Sequence, residues 1–183
     1  METGQVPSME EVADRLAIIE VIHTYSRGLD RADADILLST CWPDAEVDYG
    51  FFKGAAHPFL ENMPNGLKRY GNTQHQISNT IIEISGKEAR VESYLTAHHY
   101  LPVEDGDDTE MTYIGRYLDQ MEKRDNVWKI KFRKIVMTWH QDVKVTADFE
   151  KNQSLVPISR ATHDPDDPLD RKSTRLNSSH TSI

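Results

Sequence analysis

The stretch VWKIKFRKIVMTWHQDV, residues 127–143, predicts a long strand whose apolar side chains change faces part of the way along. Its large apolar residues stand at alternating positions, which are first even-numbered and then odd-numbered. The two sets are Trp128, Ile130 and Phe132, then Ile135, Met137 and Trp139. Because side chains alternate between the two faces of a strand, this switch indicates a β-bulge, which bends the strand. A long bent strand predicts a strongly curved sheet that can wrap around a cavity.

Three further long strands are predicted before this one, because the chain adopts a period of two from residue 72 onward. They cover residues 73–85, 88–101 and 110–123. The connections between them are Gly86-Lys87, an acidic loop over residues 104–108, and Arg124-Asp125-Asn126, which is typical of a hairpin turn. We therefore expect four consecutive antiparallel strands.

The first third of the chain predicts helices. Ser8, with a glutamate three residues later, is typical of a helix start, and helical spacing continues to about Leu29. Asp33 can cap a second, short helix, residues 45–49 alternate as a strand, and residues 55–70 predict a third helix interrupted by prolines. One apolar stripe of the first helix consists of Ile18, Ile22, Tyr25 and Leu29. The pattern predicts an α+β fold in which N-terminal helices lie across the curved sheet.

Composition narrows the classes of function. The chain has 183 residues, 38% hydrophobic and 28% charged, with a net charge of −9, so we expect one acidic globular domain and no nucleic acid as a partner. No apolar run approaches the roughly 20 residues that a membrane helix needs, and the N-terminus lacks a signal-peptide pattern. We therefore expect a cytoplasmic protein with no membrane association. The single cysteine, Cys41, lies in an apolar patch and is expected to be buried and inert.

The domain boundaries are predicted from local composition. Residues 1–8 are expected to be disordered, residues 9–156 to form the domain, and residues 157–183 to be a flexible tail. The last part of the tail, residues 171–183, is basic and serine-rich with no period. It resembles sequence that arises when a reading frame continues into adapter DNA, so we expect it to be a non-native addition.

The order of elements resembles the NTF2-like, or SnoaL-like, superfamily. This resemblance implies a cone: a curved, mainly antiparallel mixed sheet that wraps around a cavity and is covered by N-terminal helices. Three segments carry it, namely residues 15–25 followed by Leu29-Asp30, the junction Trp42-Pro43-Asp44-Ala45, and residues 113–119 followed by Trp128-Lys129-Ile130.

Within the superfamily the chain looks most like the branch that holds scytalone dehydratase, hexachlorocyclohexane dehydrochlorinase and bile-acid 7α-dehydratase. That resemblance implies that Asp30 and His75 form a catalytic acid/base dyad. Tyr25 matches a tyrosine of the bile-acid enzyme. In the bile-acid enzyme an arginine late in the last strand assists the reaction. This sequence has no obvious equivalent of that arginine near Met137. The nearest candidates are Arg116 and Arg133.

A histidine and a carboxylate in contact can move protons near neutral pH. The imidazole takes a proton from carbon, while the carboxylate orients the ring and stabilises the imidazolium. We expect a lyase or isomerase that acts on a small hydrophobic ring compound and needs neither a metal nor an organic cofactor. The structural alternative is that His75 caps a strand and Asp30 caps a turn.

Further residues are candidates for the cavity. The aromatic residues that we expect to line it and bind substrate are Tyr25, Trp42, Tyr49 and Phe51. Arg116 is the candidate for binding a substrate anion. His98 and His99 are adjacent in a predicted strand and point to opposite faces, so they cannot chelate one metal, although one of them can line the cavity.

Two other functions stay open at this point. The same superfamily includes non-catalytic ligand-binding or assembly modules, such as the β subunit of ring-hydroxylating oxygenases. It also includes polyketide cyclases, in which Asp30 would be the base without help from His75. Because an open sheet face tends to be covered by another copy, we expect a homodimer or homotrimer.

Overall fold

A computed structural model describes residues 4–146 and 161–163 of the chain. The remaining positions, including residues 147–156 of the predicted domain and the predicted addition at 171–183, lie outside the described residues. The described elements are α1 (Met9–Asp30), α2 (Ala34–Ser39), β1 (Cys41–Asp48), β2 (Lys53–Ala55), α3 (Ala56–Leu67), β3 (Asn72–Ser85), β4 (Glu88–Leu101), β5 (Thr109–Arg124) and β6 (Val127–Lys144).

The strands form one six-stranded sheet in the order β2-β1-β6-β5-β4-β3. All neighbouring pairs are antiparallel except β1 and β6, which run parallel, so the sheet is mixed. The predicted α+β architecture with four long consecutive strands is therefore confirmed. Strand β1 begins earlier than residue 45, where the sequence pattern predicted it, because Cys41 pairs with Ile130 and the backbone N–H of Ile130 donates to the Thr40 carbonyl at 2.9 Å.

The bend in β6 is confirmed, and it has two inserted residues instead of one. The register against β5 shifts at Lys131 and again at Thr138. As a result Phe132 and Trp139 lie on the outer face of the sheet, opposite Gln120 and Ile114, and not on the faces that their sequence parity predicted.

Gly115 lies in β5 beside the second shift. A Cβ at this position would lie 2.4 Å from the carbonyl oxygen of Val136, so only glycine fits against the bent strand.

Helix α1 covers the inner face of the sheet. Ser8 caps it by accepting a hydrogen bond from the Glu11 backbone N–H at 3.2 Å, and Asp33 caps α2 in the same way through Ile36 at 3.0 Å. The predicted stripe of α1 is buried, at 0–3% exposure: Ile18, Ile22, Tyr25 and Leu29. No described helix is both long and apolar enough to cross a membrane.

The helices do not cover the inner face of the sheet evenly along the length of the strands. The N-terminal part of β6 alternates between buried and partly exposed residues, whereas residues 137–144 are exposed on both faces. Within the described residues, β6 is therefore covered by the helices at one end of the inner face and uncovered at the other, whereas on β4 the inner face stays buried as far as His99. We call the covered end the closed end and the uncovered end the open end.

Candidate active site

Asp30 is the last residue of α1, and the chain turns away immediately after it through Ala32, which has a positive φ of 46°. This turn leaves the carboxylate facing the start of β3. Its Oδ1 accepts a hydrogen bond from Thr73 Oγ1 at 3.1 Å and lies 2.7 Å from His75 Nδ1. Its Oδ2 accepts the backbone N–H of His75 at 3.0 Å. Three contacts therefore fix the carboxylate against one strand.

The orientation of His75 follows from these contacts. Because Asp30 accepts at Nδ1, a neutral His75 carries its proton on Nδ1 and keeps a lone pair on Nε2. No described residue hydrogen-bonds to Nε2. The His75 side chain is 6% exposed and the Asp30 side chain 25%, so the pair lies at the edge of the interior. The arrangement suits an imidazole base whose partner carboxylate stabilises the imidazolium.

His99 lies directly beside this pair. Its ring makes edge-on contacts with His75 and Tyr113, both at 5.2 Å between centroids, and with Tyr70 at 4.8 Å. Burial, together with the charge of His75, lowers the pKa of His99 to about 4. His99 is therefore neutral near pH 7, and its buried Nδ1 has no hydrogen-bond partner among the described residues.

His98 points the other way, as the alternation of a strand predicts. It lies on the outer face, where its Nδ1 is 2.7 Å from Glu110 Oε1 and its side chain is 38% exposed. The two adjacent histidines thus belong to opposite faces. Among residues 4–146 and 161–163, no three or more histidine, cysteine or acidic side chains are grouped as metal ligands.

Tyr25 and Tyr49 are brought together, but in the closed end. Their hydroxyl oxygens are 2.5 Å apart, and burial raises the pKa of both phenols. Tyr25 also packs against Arg133, whose guanidinium carbon lies 4.0 Å from the Tyr25 ring centroid and 4.1 Å from that of Tyr117. Arg133 is completely buried and makes two hydrogen bonds of 2.7 Å to Asp119. Of the two candidate arginines, this is the one on the inner face.

The other three predicted binding residues lie away from the Asp30–His75 pair. Trp42 donates from Nε1 to the Glu122 carbonyl at 3.0 Å. Phe51 is 82% exposed. Arg116 is on the outer face, bonded to Glu92 at 2.6 Å, because the even-numbered residues of this part of β5 point away from the helices. The structure does not bring these three residues to the pair.

The site also contains Tyr70, Thr73, His99 and Tyr113, and of these four only His99 was considered from the sequence, as one of two adjacent histidines of which one can line the cavity. Three of them could have been found from the alternation of side chains between the two faces of a strand. Thr73 precedes His75 by two positions, and His99 and Tyr113 share the odd parity of the inner face. Tyr70 follows α3 outside any strand, so no periodicity could place it.

The chain also returns to the site at its far end. His163, in the short described segment 161–163, has its pKa lowered by burial, and the nearby charge of Asp30 opposes that effect. A separate groove of about 370 Å³ lies on the outer face of the sheet, lined by residues that include Ile81, Leu118 and Phe132. It contains neither Asp30 nor His75.

The family described as the SnoaL-like domain matches residues 10–134. The comparison with curated proteins gave no match.

Several solved structures share the fold. A provisionally assigned scytalone dehydratase from Novosphingobium aromaticivorans is 28% identical with a TM-score of 0.64, and the alignment covers 75% of this chain and 92% of that one. Hexachlorocyclohexane dehydrochlorinase LinA-type3 from Novosphingobium barchaimii is 22% identical with a TM-score of 0.66, covering 74% and 93%. A Nostoc punctiforme protein with a cystatin-like fold is 25% identical with a TM-score of 0.57, covering 68% and 91%. These likenesses confirm the predicted cone.

Proposed function

The chain belongs to the SnoaL-like domain family, and from that premise we propose that it is a cofactor-independent lyase or isomerase that acts on a small hydrophobic ring compound. The observation that carries the proposal is the contact of 2.7 Å between Asp30 Oδ1 and His75 Nδ1. Solved structures of similar fold described as a dehydratase and a dehydrochlorinase support the reaction class.

The proposed chemistry begins with His75. Its Nε2 removes a proton from a carbon next to an electron-withdrawing group, and the electron pair of that C–H bond moves to form a double bond. In a lyase reaction, a hydroxide or halide then departs with its own bonding pair. A departing hydroxide takes up the proton from His75 and leaves as water, whereas after loss of a halide His75 gives the proton to solvent water. In an isomerase reaction, the proton returns to a different carbon. Asp30 stabilises the imidazolium while it holds the proton.

The surroundings of the pair fit this role. Because its lowered pKa keeps His99 neutral near pH 7, this neighbouring ring adds no positive charge beside His75, whereas the Asp30 carboxylate contacts His75 directly. The rings of Tyr70, His99 and Tyr113 form an aromatic cluster that reaches the His75 ring, and a ring compound bound there can pack against it.

The test is proton removal from carbon. Cyclic β-hydroxyketones and hexachlorocyclohexane are incubated with the protein in D₂O. NMR follows exchange of the α-hydrogens, ultraviolet absorbance follows enone formation, and an ion assay follows chloride. We expect His75→Ala and Asp30→Asn each to slow the active reaction by about 10²- to 10⁴-fold.

The chain provides a matched control on the outer face. His98 and Glu110 are also 2.7 Å apart, so His98→Ala removes an equivalent pair outside the site and should leave the rate unchanged. Full turnover by His75→Ala would contradict the dyad. If Asp30→Asn were inactive while His75→Ala was not, Asp30 would act alone, as in the polyketide cyclase alternative.

A further inference from the structure

We propose that Arg69 and Tyr70 bind an anionic oxygen of the substrate, so that the Asp30–His75 pair acts on ring compounds that carry a carboxylate or phenolate group. This inference rests on the proposed function, because it assigns a substrate class to the same site. Arg69 Nη2 donates to the Tyr70 hydroxyl oxygen at 2.7 Å, and its guanidinium carbon lies 4.9 Å from the centre of the Tyr70 ring.

The position of Tyr70 is fixed by the chain on both sides. Its backbone N–H donates to the Leu67 carbonyl at 2.9 Å, at the end of α3, and the N–H of Gly71 donates to the Tyr100 carbonyl of β4 at 2.8 Å. A Cβ on Gly71 would lie 2.7 Å from the Tyr100 ring, so this close approach requires glycine. The connection between α3 and β3 is thus fastened to the sheet, which holds the Tyr70 ring against His99.

Tyr70 is connected to His75, the proposed base, by two successive contacts between aromatic rings. The Tyr70 and His99 centroids are 4.8 Å apart, and those of His99 and His75 are 5.2 Å apart. The pKa of His99 is lowered mainly by burial, and the positive charge of Arg69 is one of the smaller effects that lower it further. The guanidinium is therefore within electrostatic reach of the site.

Arg69 differs from four of the other seven arginines among the described residues. Arg15, Arg116, Arg124 and Arg133 each form an ion pair with a carboxylate. Within the part of the chain that the structure describes, no carboxylate pairs with Arg69, although the protein as a whole carries a net charge of −9. Among the described residues Arg69 contacts the neutral phenol of Tyr70, which leaves guanidinium N–H groups available to an anionic ligand.

Tyr70 adds a second donor in the same place. Its oxygen accepts from Arg69, while its own hydroxyl proton has no acceptor among the described residues. An anionic oxygen placed beside the two side chains can accept from the guanidinium and from the phenol together, and hydrogen bonds to a charged group are stronger than neutral ones. The attached ring would then extend over His99 and Tyr113 towards Nε2 of His75.

The experiment compares two probes of nearly the same shape, benzoate and benzamide, by titration calorimetry and ligand-observed NMR. We expect wild type to prefer benzoate, Arg69→Gln to weaken benzoate binding by about tenfold or more with little effect on benzamide, and Tyr70→Phe to weaken it less. Arg69→Lys, which keeps the charge without the planar fork, should recover part of the affinity.

Arg90→Gln is the matched control, because Arg90 is an exposed arginine that lines the outer-face groove. It removes the same charge and should not change benzoate binding. The proposal is overturned if wild type binds benzoate no better than benzamide, if Arg69→Gln binds benzoate as wild type does, or if Arg90→Gln weakens binding equally. Unchanged thermal unfolding of Arg69→Gln verifies that the variant is folded.

The experiments distinguish an error in the proposed Arg69–Tyr70 anion site, which we call the anchor, from an error in the proposed Asp30–His75 dyad. His75→Ala should keep benzoate binding, because it removes the base and not the anion donors. If Arg69→Gln left benzoate binding intact while His75→Ala abolished α-hydrogen exchange, the anchor would be wrong and the proposed function would stand. If benzoate binding depended on Arg69 while His75→Ala retained full turnover, the anchor would stand and the dyad would be wrong.

Discussion

Two acid–base pairs lie on the inner face of the sheet, one at each end of the cone. Asp119–Arg133 in the closed end and Asp30–His75 in the open end are both joined by contacts of 2.7 Å. Both side chains of the first pair are 0% exposed, whereas the Asp30 side chain is 25% exposed. An arginine keeps its proton at any accessible pH, and a histidine exchanges it near neutrality. The first pair is therefore suited to stabilising the fold and the second to moving protons.

The strongest test of this contrast is to break the buried pair. Asp119→Asn leaves the Arg133 charge without a counter-ion between two tyrosine rings, and we expect a loss of about 3–5 kcal/mol in the free energy of unfolding, measured with urea. Glu92→Gln is the control, since it breaks the half-exposed Arg116 pair and should cost less than about 1 kcal/mol. A loss for Asp119→Asn as small as that of the control would mean that the closed end is not held by its ion pair.

The second test uses pH. The pKa of His99 is lowered from 6.5 to about 4 in the folded protein, so the unfolded state binds a proton that the folded state does not as the pH falls through this window. Wild type should thus lose about 2 kcal/mol more stability than His99→Gln when urea unfolding is compared at pH 7 and pH 5. Parallel pH profiles for wild type and His99→Gln would show that His99 is not buried in its neutral form.

The third test concerns the bend between the two ends. Gly115→Ala places a methyl group 2.4 Å from the Val136 carbonyl oxygen, and we expect a loss of about 1–3 kcal/mol on unfolding by heat or urea. Gly66→Ala in α3 meets nothing within 4 Å and should stabilise the protein by up to about 1 kcal/mol. If Gly115→Ala were neutral, the two strands would not approach each other this closely.

The smallest expected effect is the stability change on Asp30→Asn. An asparagine can still accept from Thr73 or from the His75 backbone N–H, and the site is partly exposed, so the loss should be about 1 kcal/mol. Urea unfolding beside Asp119→Asn measures the difference directly. An equal loss from the two variants would make the open-end pair structural and remove the contrast.

Local patterns predicted most of the fold. The α1 stripe from Ile18 to Leu29, the caps at Ser8 and Asp33 and the four long strands all follow from interactions within a few residues, so spacing alone reveals them. The early start of β1 did not follow, because Cys41 is drawn into the sheet by Ile130, which is distant in sequence. The local preferences of the residues around Cys41 contain no information about such a distant partner.

The residues of the site also differ in whether the sequence could predict their positions. The meeting of Asp30 and His75 could be anticipated from a family resemblance, whereas the choice between Arg116 and Arg133 could not. Each arginine stands in a long strand, and which one faces the helices depends on register and on the two inserted residues of β6. A shift of one residue moves a side chain to the other face.

By itself, therefore, the sequence determined the kinds and the order of the helices and longer strands and the presence of a bend, because these depend on the spacing of apolar residues along one segment, whereas the short strand β2 did not follow from it. Only the tertiary structure decided which side chains share the inner face and how far each is buried. Those properties depend on pairings between distant strands and on where the helices stop covering them. That boundary separates the Asp119–Arg133 pair, whose side chains are both 0% exposed, from the Asp30–His75 pair, in which the Asp30 side chain is 25% exposed and the His75 side chain 6%.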